Sequence, residues 1–325
     1  MHAFVCLPLS RPRSFTVPSR ARSRALGLRA TADDAALRVV VTGGTRGVGL
    51  ALSRELIQRG HQVAVCGRSA VHVELAKRAL PHAVLVEQCD VADADALHRF
   101  AERVARLGDG RTPRIDAWIN NAGAVGRRGP LATAPAEAVI APVHTNLLGT
   151  LLGCREAIRQ MQQWPDRHGH VFNTDGAGVF GAGTPNFAAY GATKRAMPQL
   201  MHSLNTELRG SNVSVHTVSP GMVLTELLLR DSTAANRVFF NWLAERPETV
   251  AAFLAPRIVQ TVRRRPAARG AYIRFKTLPA AFATIACNAL LPHRRYRFFD
   301  RLGNPVGDLA ELAGEPIGPG KQREL

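Results

Sequence analysis

The sequence predicts an α/β fold, a doubly wound parallel sheet with helices on both faces, and three observations carry the prediction. From residue 38 onward, short apolar runs alternate with longer stretches of helical spacing. The first run leads through a glycine-rich turn into a helix, the opening of a βαβ unit. The chain contains no internal repeat and no low-complexity linker. Right-handed crossovers between such strands make the sheet parallel and put helices on both sides.

The elements follow in order. "LRVVVTG" is a buried strand, and "VGLALSRELIQRG" is a helix closing on Gly60. "HQVAVCG" and "HAVLVEQCD" are the second and third strands, and "DADALHRFAERVARLG" is a helix with Asp93 near its start and Gly108 near its end. "RIDAWINNAG" is the fourth strand, and a long helix is expected over about residues 135–163. The strand "GHVFNT", the helix carrying Tyr190 and Lys194, and the strand "NVSVHTVSP" complete the alternation near residue 222. Residues 222–265 read as helices covering the mouth of the sheet, so a single domain spans 36–265. Residues 266–325 read as a basic, apolar extension. Within it an apolar stretch over 278–292 is flanked by Arg274, Lys276, Arg294, Arg295 and Arg297. It is too short to cross a bilayer but suits a membrane interface or a helix packed on its own domain or a partner subunit.

Composition bounds the function. The 325 residues are 46% hydrophobic, enough for a full core, and no run approaches the roughly 18 apolar residues of a membrane span. The first thirty residues hold Arg11, Arg13, Arg20, Arg22, Arg24 and Arg29, several serines, and no acid. That is the composition of an organelle transit peptide, and also of a basic arm for nucleic acid or acidic lipid. Removing its six arginines lowers the formal net charge from +17 to +11, still basic and suited to anionic partners. No nucleic-acid-binding signature accompanies the charge. Cys6 falls in the transit segment, and Cys66, Cys89, Cys154 and Cys287 lack metal-ligand spacing and read as small buried hydrophobes. No metal is expected.

In "VVVTGGTRGVGLAL", the residues Thr42, Gly43, Thr45, Arg46, Gly47, Val48 and Gly49 form a turn between strand and helix. Its glycines let backbone approach a pyrophosphate, which the free N–H groups and dipole of the helix N-terminus then bind. The second strand ends Cys66-Gly67-Arg68-Ser69 without the acid that would bond a ribose 2′-hydroxyl. Arg46 and Arg68 instead suit a 2′-phosphate, which predicts NADPH as cofactor. Further along, Tyr190-x-x-x-Lys194 places two side chains one turn apart on one helix face. A nearby ammonium stabilises phenolate and is expected to lower the tyrosine pKa from its usual value near ~10.

The G-x3-G-x-G turn resembles the short-chain dehydrogenase/reductase family, a Rossmann-type fold, and the resemblance continues along the domain. It implies that Asp90 and Val91 lie against the adenine and that Asn120, Asn121, Ala122 and Gly123 close the cofactor pocket. It also implies that Pro220, Gly221, Val223 and Thr225 face the nicotinamide. Lys194 would hold the nicotinamide ribose, and Asn146 would hold a water joining the lysine to solvent. Family members commonly place a serine before the tyrosine to bond the substrate oxygen. Aligned on Asn173, that position is Gly176 here. An ionised Asp175 cannot donate to a carbonyl, so an active enzyme either replaces the serine with Thr174, Thr184 or a backbone N–H of the Gly176-Ala177-Gly178 run or accepts a slower rate. The glycines would also clear room for a large, flat substrate.

The run "FNTDGAG", with "FAAYGATKRA", "SPGMVLTELLL", "FFNWLAERPETVAAFLAPRI" and "AYIRF", resembles the chlorophyll(ide) b reductase subgroup of that family, over about residues 37–302. This implies NADPH-dependent reduction of the C7 formyl group of chlorophyll b or chlorophyllide b at the stromal face of the chloroplast thylakoid membrane. Tyr190, Lys194 and Asn146 would be catalytic, with Asp175, Gly176 and Thr184 near substrate. A light-harvesting antenna complex or a related reductase subunit is the expected partner, in a homo- or hetero-oligomer. Two other readings fit the same residues: a reductase of another carbonyl such as a 3-oxoacyl thioester, and an NADPH-binding scaffold without chemistry.

Overall fold

β1 (Arg38–Thr42) and β4 (Ala117–Asn120) lie at the centre of the sheet and are buried at every position. That is why they read as unbroken apolar runs rather than alternating ones. In this computed structural model, residues 35–107, 114–264, 269–291 and 294–306 are described. The transit segment and the end of the extension lie outside them. Beside the two central strands stand β2 (Gln62–Gly67), β3 (Leu85–Gln88), β5 (Gly169–Thr174) and β6 (Val213–Ser219), all parallel, in the order β3-β2-β1-β4-β5-β6. The order reverses between β1 and β4, so a ligand crevice opens at their carboxyl ends.

Successive strand residues feed opposite faces. Val39 and Val41 pack with Leu52 and Leu56 of α1 (Gly47–Gln58) and with Leu254 and Ile258 of α9 (Pro247–Arg263). Val40, Ala64, Trp118 and Val171 face the other way, against α3 (Ala94–Arg106), α5 (Gly149–Gln162) and α6 (Ala188–Glu207). α2 (Ala70–Ala79) joins β2 to β3, with Ser69 capping it by accepting from the His72 N–H.

Four features differ from the sequence reading. The long helix expected over 135–163 is α4 (Ala136–Pro142) and α5 joined by a π-helical segment, Val143–Leu148, that buries Asn146. The sheet has a seventh strand, β7 (Tyr272–Arg274), paired parallel to β6 with Ser219 opposite Arg274. The sheet therefore takes in residues read as extension. Of the helices expected over the mouth, α9 lies beside α1 on the sheet face instead. α7 (Glu226–Leu229) stands at the glycine turn, where the Thr225 methyl lies 3.2 Å from a Cβ built on Gly47. Finally, Cys287 is exposed, whereas Cys66, Cys89 and Cys154 are buried as expected.

After β7 the chain forms α10 (Leu278–Leu290), which packs on α8 (Ala234–Leu243). Phe298 and Phe299 return into a small core with Leu224, Phe240 and Ala244. The Asn241 amide binds the backbone of both phenylalanines. Glu245 pairs with Lys276 and Arg297 across the same junction. No described helix is long and apolar enough to cross a membrane.

Candidate active site

The glycine turn is shaped by close approaches. Gly43 has φ +63°, and a Cβ there would stand 2.7 Å from the Ala122 Cα. A Cβ on Gly49 would stand 2.3 Å from the Gly43 carbonyl oxygen. The Asn121 amide donates to the Thr42 and Gly43 carbonyls, and the Thr42 hydroxyl accepts from the Asn121 and Ala122 N–H groups. These bonds fix the end of β4 against the turn. α1 begins after Arg46 with no side-chain cap and no acid in its first turn, leaving its first N–H groups for an anion. A dinucleotide pyrophosphate fits this cradle. Thr45 packs over Gly67, so the exposed Arg68 stands beside the turn.

Arg46 itself is engaged. Its guanidinium donates to the Glu226 carboxylate at 2.5 Å, tying α7 to the turn. The carboxyl, raised by partial burial, is drawn below its usual range by Arg46 and Arg230. The expected arginine pair thus shares one member with an acid that sequence spacing could not reveal, 180 residues away. Asp90 turns its carboxylate back onto the Ala92 N–H, and Val91 is buried against Gly149. Asn120 lies inside the core, bonded to Trp118 and Asn173, rather than in the pocket wall. Pro220, Gly221, Val223 and Thr225 lead from β6 toward α7, with Gly221 at φ +72° and Val223 bridged to Glu245.

α6 carries Tyr190 and Lys194 to the crevice. Just before it, Asn186 adopts φ +66°, a conformation asparagine tolerates, and its carbonyl accepts from the Gly129 N–H. The Lys194 Nζ donates to the Thr174 carbonyl at 2.9 Å and lies 5.9 Å from the centre of the Tyr190 ring. Burial lowers the lysine to about 8, against a weaker upward pull from Asp175. The tyrosine does not drop as expected. Burial and then the Asp175 charge push it up to about 12, opposed by a hydrogen bond from the Ala177 N–H.

The residues that replace the serine each do something other than face a substrate. A Cβ on Gly176 would stand 2.2 Å from the Tyr190 Oη, so the glycine makes room for the tyrosine hydroxyl and not for a ligand. Asp175 is buried and accepts from Tyr272 at 2.5 Å and from Ser219. Burial raises its carboxyl, an effect those two bonds and Lys194 partly offset. The Thr184 hydroxyl donates to the Phe187 carbonyl and packs against Gly191, leaving no proton for a carbonyl substrate. The side chain of Asn146 is engaged as well. Its amide donates to the Ala124 carbonyl and to the Thr193 hydroxyl, and its oxygen accepts from the Ala124 N–H. The side chain therefore clamps the loop after β4 to α6. Tyr272 and Glu226 are site groups that the sequence reading missed, whereas the Ala177 N–H, from the backbone run expected to replace the serine, bonds the Tyr190 oxygen.

The chemistry of this arrangement is a proton donor held beside a cofactor cradle. A phenol at about 12 is fully protonated at neutral pH, which suits donation to an oxygen gaining charge. A lysine near 8 can exchange protons at the same pH. A sequence model described as short chain dehydrogenase matches residues 38–235.

The chain belongs to the short-chain dehydrogenase family. It is thus an oxidoreductase of a family that uses a nicotinamide cofactor. It is 40% identical over 269 residues to "Chlorophyll(ide) b reductase NOL, chloroplastic" of Arabidopsis thaliana, covering 80% of this chain and 76% of that one. The protein of the same name in Oryza sativa subsp. japonica is also 40% identical, over 273 residues, 80% of this chain and 77% of its own. A serine dehydrogenase in its closed form, solved with NADP+, superposes with a TM-score of 0.62 at 26% identity. That match covers 74% of this chain and 94% of the other.

Proposed function

We propose that this short-chain dehydrogenase reduces the C7 formyl group of chlorophyll(ide) b to a hydroxymethyl group with NADPH, opening chlorophyll b degradation in the chloroplast. The observation that carries the reading is the altered Thr174-Asp175-Gly176 segment beside an intact Tyr190 and Lys194, in a chain 40% identical to proteins named for that activity. The glycine turn and the free N–H groups at the start of α1 would hold the cofactor, which would supply the hydride for the aldehyde carbon. Tyr190 gives its proton to the aldehyde oxygen, and Lys194 returns a proton toward the phenolate. Gly176 and the Ala177 N–H hold the tyrosine hydroxyl where a serine would otherwise stand. Arg46 and Arg68 would receive the 2′-phosphate, once Glu226 releases Arg46.

The C-terminal helix supports peripheral contact with the stromal face of the thylakoid. On α10, Phe282 is 71% and Leu290 is 79% exposed, with Arg294 and Arg295 just beyond. A light-harvesting complex or a related reductase subunit remains the expected partner. The test is incubation with chlorophyllide b and either NADPH or NADH, the pigments being separated by chromatography. A 7-hydroxymethyl product that forms with NADPH and is lost in Tyr190→Phe supports the reading. NADPH binding without product, in wild type and variant alike, would return the chain to a scaffold or another carbonyl.

A further inference from the structure

Val179 and Phe180 sit at the tip of a tight turn between Gly178 at φ +95° and Gly181 at φ +90°, closed by the Gly181 N–H on the Gly178 carbonyl. Arg195 of α6 pins this turn by donating to the Val179 carbonyl at 3.0 Å. The turn buries Val179 and leaves Phe180 60% exposed. Beside it the Tyr272 ring is 43% exposed, with its centre 6.3 Å from that of Phe180. The Tyr272 hydroxyl is anchored on buried Asp175, the residue next to Gly176 and hence to the Tyr190 hydroxyl. Arg274 follows on β7, level with Ser219 at the carboxyl end of the sheet, with its guanidinium 5.0 Å from the Phe180 ring centre. Asp175 is satisfied by Tyr272 and Ser219, and Arg274 has no ion pair among the described residues. Two aromatic rings are thus left partly open to solvent beside a guanidinium that has no ion pair among the described residues, with the charge of Asp175 acting on it and the Phe180 ring beside it.

We infer that Phe180, Tyr272 and Arg274 form a substrate subsite in which one ring stacks on a flat conjugated macrocycle, the other, tilted 49° to it, meets the macrocycle by its edge, and Arg274 binds a free carboxylate at the rim. Aromatic faces and a guanidinium suit such a ligand through stacking and a charge-assisted hydrogen bond. This rests on the reading above and sharpens it. Chlorophyllide carries a free propionate, whereas chlorophyll carries the same group as an ester, so the subsite selects the acid.

The experiment compares chlorophyllide b with its methyl ester, in detergent, for wild type, Arg274→Gln and Phe180→Ala. Both turnover and equilibrium binding are measured, the latter by quenching of protein fluorescence. Wild type is expected to favour the free acid through KM by about fivefold, the size of one partly screened charge contact. Arg274→Gln is expected to remove that preference by costing the free acid about fivefold more than the ester, and Phe180→Ala to weaken both pigments equally. Unchanged melting temperatures show that the variants fold. Equal use of acid and ester by wild type, or an equal loss of both in Arg274→Gln, overturns the inference. If neither pigment is reduced, the proposed activity fails on its own. The binding arm still decides the subsite: an acid preference that Arg274→Gln abolishes upholds it, and its absence sinks it.

Discussion

Gly176 shows how one residue can change the meaning of a motif. A serine at this position would bring its Cβ to 2.2 Å from the Tyr190 Oη as the tyrosine now stands. Restoring the family's usual residue by Gly176→Ser is therefore expected to displace the ring and lower kcat by about 10- to 100-fold, since a displacement near 1 Å is enough for that. Steady-state rates alongside NADPH titrations check this: kcat falls while cofactor affinity holds. Glu226 acts on the opposite end of the site. Its carboxylate occupies Arg46, and both side chains are about half exposed, so the pair itself contributes little to stability. It nevertheless competes with a phosphate for the same guanidinium. Glu226→Gln is expected to tighten NADPH about two- to fivefold and leave NADH unchanged, with the effect fading as salt is raised. Fluorescence titration of both nucleotides at low and high ionic strength measures it.

At the scale of elements, legibility followed how local the signal was. β1, β2 and β4 are buried parallel strands, and burial on both faces writes a short apolar run into each, while β5 and β6 are equally buried but carry His170, Ser214 and His216 among their valines. β7 has three residues, Tyr272-Ile273-Arg274, of which only Ile273 is buried, so it leaves no such run. The π-helical segment around Asn146 is invisible to periodicity because the apolar stripe passes through it without a break. The glycine turn, Tyr190 and Lys194 were legible because each motif lies within a few residues. The Asp175–Tyr272 bond spans 97 residues and the Arg46–Glu226 pair 180, and only the fold brings them together. α10 was legible in composition but not in exposure. Its open face is expected to bind anionic membranes, so sedimentation with vesicles containing anionic lipid should recover the protein. Phe282→Asp should release it, leaving the NADPH affinity as it was.

The whole molecule carries its own pH dependence. His170 and His216 are fully buried and stacked on neighbouring strands, with the His170 Nδ1 3.0 Å from the His216 Nε2. Burial, and then the neighbouring histidines, lower them to about 3 and about 4. Unfolded histidine titrates near ~6.5, so below that pH the unfolded chain binds protons that the folded one refuses. The stability tied to neutral rings is thus complete above about pH 6.5 and drains away as pH falls toward 4. Urea midpoints from pH 7.5 down to 5 should decline, and His170→Phe, which also removes a buried nitrogen without a partner, should flatten the decline.

The Arg46–Glu226 pair has a kinetic meaning as well. Because Glu226 opens α7 and Arg46 sits in the glycine turn, the position of α7 and the occupancy of the turn are a single variable. A nucleotide that takes Arg46 also frees the helix that follows β6. Binding is therefore expected to be ordered, with the dinucleotide entering first and leaving last. Product-inhibition patterns report this directly: the oxidised nucleotide should compete with the reduced one and act as a mixed inhibitor toward the carbonyl substrate.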